Sequence, residues 1–221
     1  MKFIKIISVT IGLLFIIVLV LCDSDLKRTQ KPFRLSEPRL APLTESQMNE
    51  EQIELLVPMK REDGSILNVV ATLGRHPKLF DRFFKFANYV LTEQTLPDRD
   101  REILILRIGW LCKAKYEFGQ HTLSGKNVGL TDEEILRITK GPNESGWSTF
   151  DAALIRATDE LYNDAIISDE TWKILSERYN EKQLIDVIFT VGQYNLVSWA
   201  LNSMGVQLEE GVTGFPEELR K

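Results

Sequence analysis

Tyr116, Glu117 and His121 fall within the seven residues KYEFGQH of a 221-residue chain that has only two histidines. Glu117 and His121 are four residues apart, so on a helix their side chains share a face, roughly 5–6 Å apart at Cβ. A carboxylate beside an imidazole favours the imidazolium, and partial burial can hold either group near neutrality, so such a pair can deliver a proton and take it back at pH 7. Glu102, in the preceding segment, offers a second carboxylate. On an exposed face the same Glu–His pair would be a surface contact stabilising by roughly a few tenths of a kcal/mol. Glu102 would then be a first-turn acid meeting the helix dipole, and Tyr116 a half-buried packing residue. Burial separates the two readings. Arg107, within LILRIGWL, has no evident exposed face and needs an anionic partner, for which these carboxylates are candidates.

The elements that must position these groups read as helices. PDRDREILILRIGWL has Pro97 at its start and acids in its first turn, then runs apolar on nearly every side, as a buried helix does. It carries Glu102 and Arg107. A kink is expected near Cys112, after which KYEFGQHTLSGKNVG ends at Gly129. Upstream, TESQMNEEQIELLVPM starts at Thr44 and Ser46 and closes at Pro58, and Pro77 opens PKLFDRFFKFANYVLTE. His76, just before that proline, is read as a structural residue at a helix entrance. Downstream, Thr131 and Glu134 form a capping box for a helix ending at Gly141, and Ser148, Ser168 and Asn180 start three more. The last, EKQLIDVIFTVGQYNLVSWALNSMG, is the longest and most apolar, and Gly205 closes it. No alternating strand pattern appears, so the fold class is all-α, a multi-helix domain with short connections.

Composition narrows the partners. The chain is 43% hydrophobic and 27% charged, as in an ordinary globular domain, and long enough for one sizeable core. A net charge of −5 with scattered Lys and Arg excludes the footprint of a nucleic-acid binder. Cys22 and Cys112 make no disulfide framework, and Cys112 reads as a small buried thiol. Glu102, Glu117 and His121 lack the paired Glu-x-x-His motifs of di-iron bundles, so no metal is expected. At the N-terminus, Lys2 and Lys5 precede IISVTIGLLFIIVLVLC. Residues 1–22 therefore read as a signal peptide or a membrane anchor: the run approaches the ~20 residues that span a bilayer, and the short basic start also suits an export signal. No small-x-small cleavage site precedes Asp23, and Leu21 is unusual before a lipid-modified cysteine at Cys22. An anchor is favoured, with membrane attachment through 1–22 if uncleaved and the domain outside the cytoplasm, because the lysines lie on the N-terminal side. Residues 23–37 read as a linker, 38–211 as the domain and 212–221 as a C-terminal tail.

The stretch LPDRDREILILRIGWLCKAKYEFGQHTLSGKNVGLTDEEI resembles the carboxymuconolactone decarboxylase family, which shares its fold with the alkyl-hydroperoxidase D proteins. The resemblance covers nearly everything from about Pro38 to Glu210. It implies an all-helical homo-oligomer, trimer or hexamer, with the site near subunit contacts. In the peroxidase-like branch a Cys-x-x-Cys pair precedes the histidine and an upstream glutamate helps activate one cysteine. Aligned on His121, those cysteine positions hold Ala114 and Glu117, while Glu102 falls on the upstream glutamate. The chain is similar instead to the cysteine-free branch, whose Tyr-Glu-aromatic-x-x-His motif is matched by Tyr116, Glu117, Phe118 and His121. That branch implies a cofactor-free carboxy-lyase for a small lactone acid. His121 would protonate carbon, Glu117 would orient it, Glu102 would be the second carboxylate, and Arg107 with Tyr116 would face the substrate. Two alternatives stand beside it: an alkyl-hydroperoxidase-like peroxidase, and a non-catalytic binding protein held at a membrane.

Overall fold

A computed structural model describes residues 35–216. The N-terminal segment 1–22 with Cys22, and the linker up to residue 34, lie outside the described residues. Among the described residues there are nine α-helices and no strand: α1 (Glu50–Leu56), α2 (Asn68–Leu73), α3 (Pro77–Asn88), α4 (Asp98–Leu111), α5 (Lys115–Asn127), α6 (Asp132–Lys140), α7 (Thr149–Asp164), α8 (Asp169–Ser176) and α9 (Glu181–Met204). The domain is all-α, as the punctuation of the sequence implies.

Most helix starts are fixed by side chains that take orphan backbone N–H groups. Thr131, Ser148, Ser168 and Asn180 each accept one at the expected positions. Near Thr44 the outcome differs. Glu45–Gln47 is only a 3-10 turn, and the α-helix begins later because Asn49 and Gln52 form a reciprocal capping box. Helix α2 has no counterpart in the sequence reading, since six residues are too few to show a period. The helix opened by Pro77 stays α-helical only to Asn88 and continues as a π-turn over Tyr89–Glu93. Asp186 of α9 braces that turn, accepting from the Tyr89 hydroxyl at 3.0 Å and the Thr95 N–H at 2.7 Å. Near Cys112 the expected kink is a full break: Lys113 adopts φ 54° and the Ala114 N–H reaches back to the Gly109 carbonyl at 2.8 Å. α5 can therefore fold back onto α4.

Helix α4 is the centre of the domain, with α5, α7 and α9 packed around it. Every residue from Asp100 to Gly109 is buried, which explains its apolar character on all sides. This burial drives the polar residues of α4 to seek partners from neighbouring helices. By length and composition α9 is apolar enough to cross a membrane, yet half of its most apolar window is buried within the domain, as in a core helix. After Gly205, which caps α9 with φ 72°, the chain runs across α5. Phe215 stands 5.2 Å from Trp110 and 5.3 Å from Phe118, ring to ring. Gly119 permits this close approach, because a Cβ there would come within 2.8 Å of the Thr213 carbonyl oxygen.

Candidate active site

The break at Lys113 brings the first turns of α4 against the middle of α5. Glu102 and His121 meet there, with Glu102 Oε2 2.7 Å from His121 Nδ1. One turn up α5, Glu117 Oε1 lies 3.0 Å from His121 Nε2, so the imidazole is gripped at both nitrogens by carboxylates. All three are buried, with exposures of 0% for Glu102, 4% for Glu117 and 8% for His121. Arg101 adds the fourth charge, donating Nε–H to Glu102 Oε1 at 3.2 Å and Nη1–H to Asp98 Oδ1 at 2.7 Å. Tyr194 of α9 covers the imidazole, ring edge against ring face, with centroids 4.8 Å apart.

The electrostatics follow from this grip. Burial by itself would expel the charge from His121, but the Glu102 carboxylate, then Glu117, outweigh it and push the imidazole up to about 10. For Glu102 burial pulls upward, while the His121 charge and Arg101 pull more strongly downward, and its carboxyl sits below the ordinary range. At neutral pH the cluster therefore holds an imidazolium between two carboxylates. Together Arg101, Glu102, Glu117 and His121 sum to zero charge, which allows four ionised groups to share one buried site.

Glu102, Glu117 and His121 are brought together; the two other candidates are placed elsewhere. Five residues beyond Glu102, Arg107 emerges about 140° round α4. Its Nε and Nη2 form a fork on Asp159 of α7 at 2.6 and 2.9 Å, and Nη1 caps the Ile138 and Thr139 carbonyls of α6 at 2.8 and 3.1 Å. The anionic partner it needs is Asp159, and its role is to lock α4 to α6 and α7. Tyr116 gives its hydroxyl to Glu209 at 2.7 Å, in the segment after α9. Burial and the Glu209 carboxylate raise its ionisation well above the ordinary range, so it is a fixed donor that ties down the C-terminal segment. His76 caps α3 through Nδ1, as a structural residue at a helix entrance does. Cys112 donates its thiol to Asn195 Oδ1 at 3.0 Å, and burial pushes it up to about 11.

Arg101 and Tyr194 belong to the site but carry no signal in the sequence. Arg101 is lost among the alternating charges of PDRDRE, and Tyr194 sits in the apolar run of α9, where an aromatic reads as core. Among the described residues no group of three or more His, Cys, Asp and Glu side chains is arranged to hold a metal ion.

Residues 77–159, which include α4, α5 and the whole Glu102–Glu117–His121 cluster, match the carboxymuconolactone decarboxylase family. No curated protein matches the chain significantly in sequence. Among solved structures, the AhpD core of an uncharacterised peroxidase-related protein from Ralstonia eutropha superposes with a TM-score of 0.68 at 12% identity, covering 79% of this chain and 95% of that one. A peroxidase-related protein from Silicibacter gives 0.65 at 13% identity, over 84% and 96% of the two chains. The debrominase Bmp8 in complex with 2,3,4-tribromopyrrole also gives 0.65, at 14% identity over 79% and 94%. Over residues 77–159, which hold the site, the chain is similar to the carboxymuconolactone decarboxylase family, and its helical fold is AhpD-like.

Proposed function

We propose that this protein is a proton-transfer enzyme of the decarboxylase type, acting on a small carboxylated or lactone substrate with no cofactor and no thiol chemistry. The observation that carries the reading is the imidazolium of His121 held at both nitrogens by buried carboxylates. A decarboxylase of this kind needs a general acid. When the C–C bond to the departing carboxylate breaks, carbon dioxide leaves and the electron pair moves into a conjugated lactone carbonyl as an enolate. The His121 imidazolium then protonates carbon, and the neutral imidazole regains a proton from solvent, so each turnover consumes one proton. The geometry supports a division of roles. Glu102 is fully buried and itself held by Arg101, so it fixes the ring through Nδ1. Glu117 lies at Nε2, the longer contact, from which the proton is delivered once substrate displaces the carboxylate.

The peroxidase alternative draws support from the AhpD-like neighbours, but the thiol side is weak. Cys112 is tied to Asn195 and stays protonated at neutral pH, and the sequence offers only Cys22 besides it. The debrominase neighbour illustrates that proteins on this fold act on more than one kind of small molecule.

Two further readings accompany the proposal. Ile185, Phe189, Leu196 and Trp199 stand half or more exposed along the outer face of α9. An apolar stripe of this kind supports assembly with further copies of the chain, which would also enclose the site. Residues 1–22 would hold that assembly at a membrane, with the domain outside the cytoplasm.

The test is carbon protonation itself. Small unsaturated lactone acids are incubated with the protein in D2O and followed by NMR for loss of the carboxyl carbon and deuterium at the adjacent carbon. Turnover that disappears in His121→Asn and persists in Cys112→Ser supports the reading. Peroxide reduction that depends on Cys112, with no acid consumed, refutes it.

A further inference from the structure

We propose that the apolar cavity between α2, α3 and α9 is a binding site for a small uncharged molecule with a hydrocarbon body and an amide head group, and that Gln193 is the residue that reads the head. The site is separate from the Glu102–Glu117–His121 cluster, and the inference goes beyond the proton-transfer reading without resting on it.

The cavity measures about 150 Å³, and every side chain that lines it is apolar. Val69 of α2, Phe83 of α3 and Val197 and Ala200 of α9 are among its walls. Leu79 and Leu196 also line it and are half exposed, so the cavity is reached from solvent. A close-packed interior leaves few gaps of this size. A carbon-lined cavity of about 150 Å³ stays dry and takes up a benzene-sized ring.

Gln193 lies on the same stripe of α9, four residues before Val197 and seven before Ala200, one and two turns from them. Its level agrees on α3. Phe86 meets Phe189, with ring centroids 6.1 Å apart, and Tyr89 meets Asp186, so the two helices run antiparallel and Phe83 lies opposite the turn that carries Gln193. Gln193 is only 4% exposed, yet neither its Nε2 nor its Oε1 has a hydrogen-bond partner among the described residues. Burying an unpaired amide is costly. Gln52, also buried, shows the ordinary outcome: its Nε2 donates to the Gly74 carbonyl at 3.2 Å and its Oε1 accepts from the Asn49 N–H at 3.0 Å. Thr190, three residues before Gln193, adds a buried hydroxyl that is likewise unpartnered.

These two observations select the ligand. The cavity suits a hydrocarbon body and nothing ionised, because no cation lines it to offset a buried charge. A glutamine amide holds donors and an acceptor side by side, so its match is another amide: Nε2–H donates to the ligand's carbonyl oxygen, and the ligand's N–H donates to Oε1. A carboxylate brings no donor for Oε1.

The experiment measures binding alone. Full-length protein is titrated with benzamide, toluene and benzoate, each followed by ligand-observed NMR. Benzamide should bind saturably and about tenfold more tightly than toluene or benzoate. Gln193→Met, close in shape and apolar, should bind benzamide and toluene alike. Ala200→Leu, which fills the cavity from α9, should lose benzamide binding with an unchanged far-ultraviolet spectrum. The proposal is overturned if benzamide does not bind, if benzoate binds more tightly, if Gln193→Met keeps the preference for benzamide over toluene, or if a folded Ala200→Leu binds benzamide as the wild type does. Equal affinity of the wild type for benzamide and toluene would assign the amide to ordered water and overturn it too. Binding seen only with Trp199→Glu would mean that another copy of the chain fills the cavity, and the small-molecule site would fall.

Discussion

Glu102 and His121, nineteen residues apart in the chain, meet through a 2.7 Å contact between Oε2 and Nδ1 where α4 and α5 fold back on each other. The contact joins two groups that neither helix could bury alone. An isolated imidazolium or carboxylate in this core would neutralise itself, whereas together, with Glu117 and Arg101, they stay ionised.

The first expectation concerns the titration of His121. Its imidazole should titrate far above the ordinary 6.5, towards about 10. Glu102→Gln should lower it most, because the Glu102 charge is the largest favourable influence, and Glu117→Gln should lower it less. NMR titration of the side chain measures both. An imidazole near 6.5 that ignores Glu102→Gln would return this cluster to an ordinary surface pair.

Stability should follow pH in a defined direction. The His121 value is raised on folding, so its contribution is complete below the unfolded value of about 6.5 and is lost as pH rises through about 10. Glu102 acts at the other end: its folded value is depressed, so its contribution is present above the ordinary 4.5 and lost as pH falls through the folded value. Melting temperatures should therefore decline from near neutrality towards pH 10, and His121→Asn should flatten that alkaline slope. A wild-type slope identical to that of the variant would contradict the coupling.

Arg107→Lys keeps the charge but loses the fork on Asp159 and the caps on Ile138 and Thr139. It should cost about 2 kcal/mol in chemical denaturation. Because Arg107 lies away from the cluster, the His121 titration should not move. A shifted His121 with unchanged stability would mean that Arg107 reaches the site after all.

Cys112 should react slowly with alkylating reagents at neutral pH, with a rate that climbs only as pH approaches about 11. Rapid modification at pH 7, followed by mass spectrometry, would restore the thiol as a reactive group and with it the peroxidase alternative.

If α9 is covered by further copies of the chain, Trp199→Glu should shift the sedimentation coefficient towards that of a single chain while leaving the far-ultraviolet spectrum unchanged. Trp199 is 58% exposed in one copy, so its own fold tolerates the charge. A wild-type protein that already sediments as a single chain would leave the apolar stripe without this explanation.

The sequence by itself determined the fold class, most helix boundaries and half of the site, but not the short helix α2 or the 3-10 turn at Glu45–Gln47. Caps at Thr131, Ser148, Ser168 and Asn180, Pro97 before α4 and Gly205 after α9 are local signals, legible because a side chain or a fixed φ acts within a turn or two of its own position. The four-residue spacing of Glu117 and His121 is equally local. Whether that pair was buried, and which residues joined it, depended on how α4, α5 and α9 cross. Only the tertiary structure sent Arg107 to Asp159, turned the Tyr116 hydroxyl to Glu209, joined Glu102 to His121 and laid Tyr194 against the imidazole. The physical reason is that a buried polar group takes whichever partner the packing of distant segments offers, and one-dimensional spacing carries no record of that choice.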